Sequence, residues 1–320
     1  MRSTAGNDLM DKFDLLVIGE INPDLILRGA DVMPAFGQAE KLVEEATLTI
    51  GSSSVIMACG AARLGLRVAF CGLVGDDLFG RFMLDAMAAR GIDIAGCIVD
   101  SALPTGLSVI LARTGGDRAI LTHPGAIPAL TADRIDRGLL RKARHVHVGA
   151  YFLLDKLRPD LPALFSEAHG LGLTTSLDPN FDPAGRWDAG EVLPHCDIFL
   201  PNETEAMAIS GAADLPAAVD WLGARVGTVA VKLGADGGLA YQGGRSVQAR
   251  PLPVTVVDTV GAGDSFDAGF LCGRLNNWTA AESLRLALVC GSLSTTGSGG
   301  TAAQPTMVEA LLRMPEIALA

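Results

Sequence analysis

The sequence predicts an α/β protein with a doubly wound, mostly parallel sheet and a small second sheet beside it. Short apolar segments alternate along the chain with amphipathic ones, beginning with FDLLVIGEIN at 13–22. Strands that are apolar throughout are typical of parallel sheets covered by helices on both faces. Two stretches, 25–50 and 97–122, instead alternate apolar and polar residues with a period of two, which indicates a smaller, half-exposed sheet.

The first half of the chain opens with a buried strand and continues with helix, strand and helix. These three segments are SSVIMACGAARLG (53–65), RVAFCGLVG (67–75) and DLFGRFMLDAMAARG (77–91). The last of them closes on Gly91, a residue type favoured just after a helix.

The two period-two stretches interrupt this alternation. Within 97–122, TGLSVILAR is followed by Gly115-Gly116-Asp117 and then RAIL, which is a hairpin pattern. We expect 25–50 and 97–122 to form a small β lid beside the main domain. Strand edges left exposed there tend to become covered, so we also predict a homodimer through the lid.

The second half returns to strands, and helices dominate the last third. The strands are HVHVGAYF, LTTSLDPN, CDIFLPN and TVAVKLG, and the last helices are expected at 264–277, 279–294 and 306–314. Glycines and polar residues follow several strands, at the sheet edge where open α/β sheets bind ligands. We expect one catalytic domain over 13–315, preceded by a flexible tail at 1–12.

Composition excludes several classes of protein. Lys plus Arg total 25 and Asp plus Glu 36, a net charge of −11, which disfavours nucleic-acid and membrane partners. The six cysteines form no CxxC pair, as expected of free thiols in a reducing compartment. The first twelve residues lack the apolar segment of a signal peptide, and no apolar run of about 18 residues occurs. We therefore expect a cytoplasmic location.

The segment DTVGAGDSFDAGF at 258–270 carries the clearest chemistry. Gly261, Ala262 and Gly263 precede a predicted helix, whose free N–H groups and dipole favour an anion. Asp264 follows directly and could accept a proton from a hydroxyl group while the turn holds phosphoryl charge. An Asp at a helix start is equally a common N-cap. No GxxxxGK[ST] motif occurs, and the first strand is not followed by GxGxxG, which disfavours P-loop NTPases and dinucleotide-binding dehydrogenases.

Over residues 14 to 310 the chain resembles the PfkB, or ribokinase, family of ATP-dependent carbohydrate and nucleoside kinases. DTVGAGDSFDAGF is similar to the C-terminal signature of that family. The resemblance implies a ribokinase-like fold in which Asp264 is the catalytic base. Gly261, Ala262 and Gly263 would form the anion hole for the γ-phosphoryl group of ATP.

The substrate side of the resemblance lies in the first eighty residues. GEINPD (19–24) is similar to the sugar-binding segment, in which Asn22 and Asp24 would bind substrate hydroxyls; a turn after a strand would also favour these residues. GSSSVIMACGAARLG is similar to the N-terminal signature and implies that Gly51 and Ser52 lie near the sugar. The sequence departs from the family here, because Ser52 replaces a glycine and Ile56 an asparagine that often contacts the sugar.

The nucleotide side of the resemblance lies in the second half. PNETEA implies that Asn202 and Glu205 orient the phosphates and, through water, Mg²⁺, although Asn followed by Glu three residues later is also a capping pattern. VKLGADG implies that Lys232, Gly234 and Gly237 lie along the ATP phosphates.

Two further positions complete that side. GSGGTAAQP, which contains Gly300, resembles the loop beside the adenine. Family members often bind a monovalent cation such as K⁺ near this loop and the aspartate at the position of Asp258.

Three remaining features of the sequence bear on substrate and metal chemistry. Relatives that act on 2-keto-3-deoxygluconate place an arginine where this chain has Asp182, which favours a neutral sugar or polyol unless Arg186 substitutes. His145 and His147 share one face of a strand and could ligate a metal, but a structural role is favoured. Asp76-Asp77 is interpreted as a turn and helix start.

The sequence thus predicts an ATP- and Mg²⁺-dependent sugar kinase that phosphorylates a hydroxyl group, expected to be primary. The alternatives are a nucleoside kinase of the adenosine kinase type and a non-catalytic sugar- or nucleotide-binding regulator on the same fold. The intact GAGD turn disfavours the regulator, which would need no base.

Overall fold

A computed structural model describes residues 12–114 and 117–319 of the chain. The strands are β1 (Leu15–Ile18), β2 (Pro23–Gly29), β3 (Glu45–Ile50), β4 (Val68–Gly75), β5 (Asp93–Asp100), β6 (Leu107–Arg113), β7 (Arg118–His123), β8 (His145–Val148), β9 (Thr174–Leu177), β10 (Ile198–Phe199), β11 (Thr228–Lys232), β12 (Gly238–Gln242) and β13 (Arg245–Ala249). The α-helices are α1 (Ser53–Arg63), α2 (Leu78–Ala88), α3 (Arg137–Lys142), α4 (Leu161–Gly170), α5 (Glu203–Ser210), α6 (Leu215–Gly223), α7 (Ala262–Leu275), α8 (Ala280–Ser294) and α9 (Met307–Arg313). The predicted N-terminal tail lies outside the described residues except for Lys12.

The large sheet confirms the predicted doubly wound architecture. In the described part of the chain it has nine strands in the order β13-β12-β11-β10-β9-β8-β1-β4-β5. The run from β11 to β5 is parallel, and β12 and β13 extend it antiparallel. Leu15 and Val17 of β1 face a core shared with α1, α2, α7 and α8, whereas Leu16 and Ile18 face a core shared with α3, α4 and α6. Because neighbouring residues of a strand point to opposite faces, helices cover both sides.

The small sheet has the order β3-β2-β6-β7. β6 and β7 pair antiparallel, as the hairpin pattern predicted, while the Gly115-Gly116 turn itself lies outside the described residues. The central pair, β2 with β6, is parallel rather than antiparallel, because the chain passes through β4 and β5 of the large sheet between them. Residues 97–100, assigned to this sheet by their alternation, instead end β5 and pair with β4.

Helix boundaries follow the predictions closely, with one difference. α7, α8 and α9 each begin and end within two residues of the expected limits. α2 ends at Ala88, and Gly91 adopts a left-handed φ of 75° three residues beyond the helix. Among residues 12–114 and 117–319, no helix combines the length and apolar character needed to span a membrane.

The side-chain amide of Gln304 links helices α1 and α7. The Gln304 amide donates to the Ile56 carbonyl of α1 at 2.9 Å and to the Ser265 hydroxyl of α7 at 3.0 Å. Its side chain is buried, so these bonds replace hydration that the amide loses. Distant parts of the chain are thereby fixed at one end of the fold.

Candidate active site

The start of α7 is an open helix end built by a close contact between two loops. Gly261 adopts a φ of 73°, and a Cβ there would lie 2.7 Å from Gly300 Cα and 2.9 Å from Ile56 Cγ2, so only glycine fits. No side chain caps this helix. Asp264 stands in its first turn rather than at the cap, so the N-cap interpretation of Asp264 was wrong. Ala262 N donates to the Thr259 carbonyl at 3.4 Å, but no side chain occupies the first turn, so its remaining N–H groups and the helix dipole favour an anion.

Asp264 is a half-buried carboxyl group beside several other acids. Burial, and after it the charge of Asp178, are the main causes that raise its pKa, which lies at about 7. Lys232 lowers the pKa, Glu20 raises it, and a hydrogen bond with Ser53 lowers it. A carboxyl group with this pKa is suited to accept a proton near neutral pH.

Lys232 forms a buried ion triad next to the turn. Its ammonium lies 3.3 Å from Asp178 Oδ1 and 2.9 Å from Asp267 Oδ2, and its Cδ would lie 3.3 Å from a Cβ on Gly263. Burial lowers the pKa of Lys232, but Asp178 and Asp267 outweigh it and raise that pKa, so the ammonium stays charged. Burial, and after it the charge of Asp178, raise the pKa of Asp267 well above its ordinary value, although Lys232 lowers it.

Asn202 and Glu205 form the capping box that their spacing predicted. Asn202 Oδ1 accepts from Glu205 N at 2.9 Å, and Glu205 Oε2 accepts from Asn202 N at 2.8 Å. Burial, and after it the charge of Asp178, raise the pKa of Glu205 to about 7, while Lys232 lowers it. A cation near these two acids would relieve that repulsion.

This arrangement fits Mg²⁺ only in one mode. No cluster of three or more metal-ligating side chains occurs within residues 12–114 and 117–319. Mg²⁺ in nucleotide sites commonly keeps several waters and takes one or two carboxylates together with phosphate oxygens. Glu205 and Asp178 provide that small number of acids.

The proposed sugar side places Asn22, Asp24 and Gly51 together. Asn22 Nδ2 donates to Ser108 Oγ of β6 at 3.2 Å. A Cβ on Gly51 would lie 2.2 Å from Asp24 Oδ1, so this close approach also requires glycine. Burial, and after it the charges of Asp264 and Glu20, raise the pKa of Asp24 to about 7, whereas Arg118 lowers it. The charge of the candidate base Asp264 therefore acts on Asp24.

The two departures from the family pattern have distinct surroundings. Ser52 adopts a φ of 67°, a value unusual for a residue with a side chain, at the position where relatives have glycine. Its hydroxyl donates to the Glu20 carbonyl at 2.6 Å and accepts from Val55 N at 3.0 Å, which offsets the strain. The Ile56 side chain is buried against Gly261 and Gly300, so it shapes the Gly261–Gly263 turn directly.

The glycines assigned to the phosphate strand lie in a tight turn. Gly234 adopts a φ of 57°, and a Cβ on it would meet nothing within 4 Å. Gly237 adopts a φ of 94°, and a Cβ on it would lie 2.0 Å from the Ala249 carbonyl oxygen. The close approach at Gly237 is therefore to β13, a structural reason that the motif did not reveal.

Asp182 gives no support to the inference about substrate charge. Its carboxylate is buried and accepts from the backbone N–H groups of Ala184, Arg186 and Trp187 at 2.9, 2.8 and 2.8 Å. The side chain closes its own loop, so its charge is satisfied there.

The remaining candidates have structural surroundings. His145 and His147 are buried and both contact the Ser176 hydroxyl, at 2.7 and 2.8 Å. Burial lowers the pKa of His145 to about 4, so it is neutral at physiological pH. Asp77 caps α2 through Gly80 N at 2.9 Å, as predicted.

Sequence reasoning missed Asp178, Asp267 and Ser53. Asp178 directly follows β9 at the same sheet edge as the other site residues. Asp267 lies three residues after Asp264 in α7, the spacing that puts two side chains on adjacent parts of one helix face. These positions were readable signals, but the partners that give them meaning lie far away in the chain.

Comparisons with known proteins agree with this geometry. The profile described as pfkB family carbohydrate kinase matches residues 12–307. An ATP-dependent ribose-1-phosphate kinase from Halopiger xanaduensis is 31% identical over 295 residues, covering 91% of this chain and 95% of that relative.

Solved structures give the fold. A putative ribokinase II from E. coli in complex with ATP and Mg²⁺ aligns with a TM-score of 0.83 at 23% identity, covering 95% of this chain and 99% of that one. An adenosine kinase from Sinorhizobium meliloti also reaches a TM-score of 0.83 at 23% identity, covering 94% of this chain and 99% of that one.

Proposed function

The chain belongs to the pfkB family of carbohydrate kinases, and from that premise we propose that Asp264 is the base that activates a hydroxyl group of a small sugar or polyol. ATP, bound with Mg²⁺, supplies the γ-phosphoryl group that this hydroxyl accepts. The adenine side of ATP is assigned to the loop at 297–303 and its phosphates to the region of Asn202, Glu205 and Lys232.

In this mechanism the chain contributes position and charge. The Asp264 carboxylate takes the proton of the acceptor hydroxyl, and the backbone N–H groups of the Gly261–Gly263 turn stabilise negative charge on the phosphoryl oxygens. Lys232 is held by Asp178 and Asp267 and keeps a positive charge beside the turn. Phosphoryl transfer needs mainly such positioning and electrostatic stabilisation.

One observation carries the proposal: Asp264, with a pKa of about 7, stands in the first turn of a helix that no side chain caps. A purely structural aspartate would be expected to cap that helix, as Asp77 caps α2.

The test is ADP release measured with ATP and Mg²⁺ across neutral sugars, polyols, sugar acids, sugar phosphates and nucleosides. An acceptor that is turned over by the wild type and not by Asp264→Asn would support the proposal. ATP binding without turnover of any acceptor would favour the regulator instead, and nicotinamide binding would favour a dehydrogenase.

A phosphorylated sugar is a second candidate acceptor. The positive charge of Arg118 acts on Asp24, and its guanidinium donates to Thr259 Oγ1 at 2.9 Å, so a cation borders the proposed sugar pocket. The Halopiger relative is named a ribose-1-phosphate kinase. If the acceptor carries a phosphate, Arg118→Ala should raise its KM while leaving the KM for ATP unchanged.

A nucleoside acceptor remains the third alternative, since the fold is shared with an adenosine kinase. Ile56 replaces an asparagine of the family pattern. The loss of that polar group favours an acceptor with fewer hydroxyl groups. The burial of Ile56 against Gly261 and Gly300 weakens that reasoning.

We propose that the small sheet acts as the lid of the sugar site and pairs two copies of the chain. β3 and β7 are its edge strands, and Leu48, Ile120 and Leu121 are exposed by 38%, 54% and 60%. Apolar side chains on unpaired edges favour association. Light scattering of the wild type and of Ile120→Lys tests the dimer, which the charged residue should dissociate.

A further inference from the structure

Asp258 lies six residues before the candidate base and orders the loops around it. Its Oδ1 accepts from Val260 N at 3.0 Å, and its Oδ2 accepts from Gly299 N at 3.1 Å. Val260 leads into the Gly261–Gly263 turn, and Gly299 precedes the Gly300 that contacts Gly261. The Asp258 carboxylate therefore fixes both loops that shape the anion-binding turn.

A third donor reaches this carboxylate from the small sheet. Arg28 Nη2, on β2, lies 3.3 Å from Asp258 Oδ2 and 3.5 Å from Ser298 Oγ. The Asp258 side chain is only 8% exposed, so little solvent screens the pair. Glu45 holds the other side of the guanidinium, with Oε2 3.6 Å from Arg28 Nε. Together these contacts give Asp258 a fixed positive partner.

These donors do not fit the monovalent cation that the family resemblance suggested at Asp258. A cation is held by oxygen lone pairs, but both carboxylate oxygens face N–H donors. A guanidinium has no acceptor atom with which to ligate a metal ion. A cation brought next to Oδ2 would also meet the Arg28 charge at short range in a partly buried site. The expectation of K⁺ at Asp258 is therefore not met by the residues present.

We infer that Arg28 provides the positive charge beside Asp258, so the enzyme works without a monovalent cation and Arg28 acts through Asp258 as a positioning residue for the anion-binding turn. The inference rests on the proposed function, in which that turn stabilises the transferring phosphoryl group. Arg28 belongs to the small sheet, and Asp258 follows the large one, so the ion pair also joins the two sheets at the site.

The first experiment compares wild-type activity in potassium, rubidium, sodium and choline chloride at equal ionic strength. Equal ionic strength removes the general screening of charges, so that only specific cation binding can change the rate. We expect kcat to differ by less than about twofold among the four salts. The melting temperature should likewise be the same in potassium as in choline.

The second experiment removes the guanidinium. In Arg28→Ala, kcat measured in choline should fall by at least about tenfold, since the turn loses its alignment, while the KM for ATP changes little. Potassium or rubidium should restore part of the rate and raise the melting temperature, because the competing guanidinium is gone and Asp258 Oδ2 keeps only the Gly299 N–H as a donor. Arg28→Lys retains a charge and should remain insensitive to potassium. Arg113→Ala, at an exposed arginine of β6 whose ion pair is with Asp117, is the matched control.

Several outcomes would overturn the inference. One is a several-fold gain in wild-type rate or a higher wild-type melting temperature in potassium than in choline. The inference would also be overturned if Arg28→Ala kept the wild-type kcat in choline. It would be overturned as well if Arg28→Ala lost kcat and no cation restored any of it. Failure of the wild type on every acceptor would defeat the proposed function instead, and the melting temperatures of wild type and Arg28→Ala would still decide the cation question.

Discussion

The two longest helices, α7 and α8, follow each other and pack together, yet they begin in opposite ways. α8 starts with a complete capping box, in which Thr279 Oγ1 accepts from Glu282 N at 3.2 Å and Glu282 Oε2 accepts from Thr279 N at 2.8 Å. α7 starts at Gly261 without a side-chain cap. Side chains satisfy N–H groups at the start of α8, whereas no side chain occupies those at the start of α7. The capped start serves stability, whereas the uncapped start is where we propose that the phosphoryl group binds.

The strongest way to break this comparison is to neutralise the acid in the open end. Asp264→Asn should lower kcat by about 10²- to 10⁴-fold, because the amide cannot accept the proton. In the wild type, kcat/KM should rise as the pH passes about 7, where the carboxyl group ionises. Steady-state kinetics across pH 5–9 would measure both effects. Wild-type turnover by Asp264→Asn would remove Asp264 from the role of base.

The next change fills the turn itself. Gly261→Ala would place a methyl group 2.7 Å from Gly300 Cα at a left-handed φ, so both loops must move. We expect kcat to fall by about tenfold or more and the melting temperature to drop. Gly190→Ala is a matched control, because its Cβ would meet only Asp188 Oδ1, at 4.0 Å. An unchanged kcat in Gly261→Ala would contradict the role of the turn.

A third change alters the charge behind the turn. Lys232 lowers the pKa of Asp264, so Lys232→Met should move the acidic limb of the kcat/KM profile to higher pH. Asp178 and Asp267 would also lose their shared cation, which should destabilise the fold. Lys156→Met removes an exposed lysine and should leave the profile unchanged. A pH profile identical to the wild type would argue against the electrostatic link.

Thermal stability sharpens the comparison further. The raised pKa of Asp264 means that folding disfavours its ionised form, so its contribution to stability falls as the pH rises from about 4 to about 7. Asp264→Asn should therefore melt at the same or a higher temperature than the wild type at pH 8. Calorimetry at pH 5 and pH 8 measures the difference, which should grow with pH. A variant that melts lower at pH 8 would contradict this.

The smallest effect on catalysis is expected at the closed end. Thr279→Ala removes the cap of α8 and should lower the free energy of unfolding by about 1 kcal/mol, with no change in kcat. Denaturant unfolding and kinetics on one preparation would show both. A fall in kcat comparable to that of Gly261→Ala would erase the distinction between the two helix ends.

The sequence was sufficient for the fold because periodicity is a local property. The buried strands, α7 to α9 and the β6–β7 hairpin could all be read from short windows. The direction of β2 against β6 could not, because it depends on how the chain travels through β4 and β5 in between.

The candidate site divides in the same way. The GAGD turn is contiguous, so its shape was foreseeable. The bonds of Asp182 to backbone N–H groups of its own loop were not foreseen from the pattern of residues, and the substrate charge inferred from Asp182 stays a prediction. The pairing of Arg28 with Asp258 spans 230 positions, and no local pattern encodes it.

The Gln304 amide has a consequence for how this protein is made. It bonds to Ile56, 248 positions earlier, and to Ser265, so this link between helices α1 and α7 forms only after residue 304 has been made. Chains emerge from the ribosome N-terminus first, and contacts between distant positions form late and slowly. A nascent chain that stalls before residue 304 would already hold every proposed catalytic residue, yet it would lack the bond that closes the site. Translation must therefore pass residue 304 before this link can form.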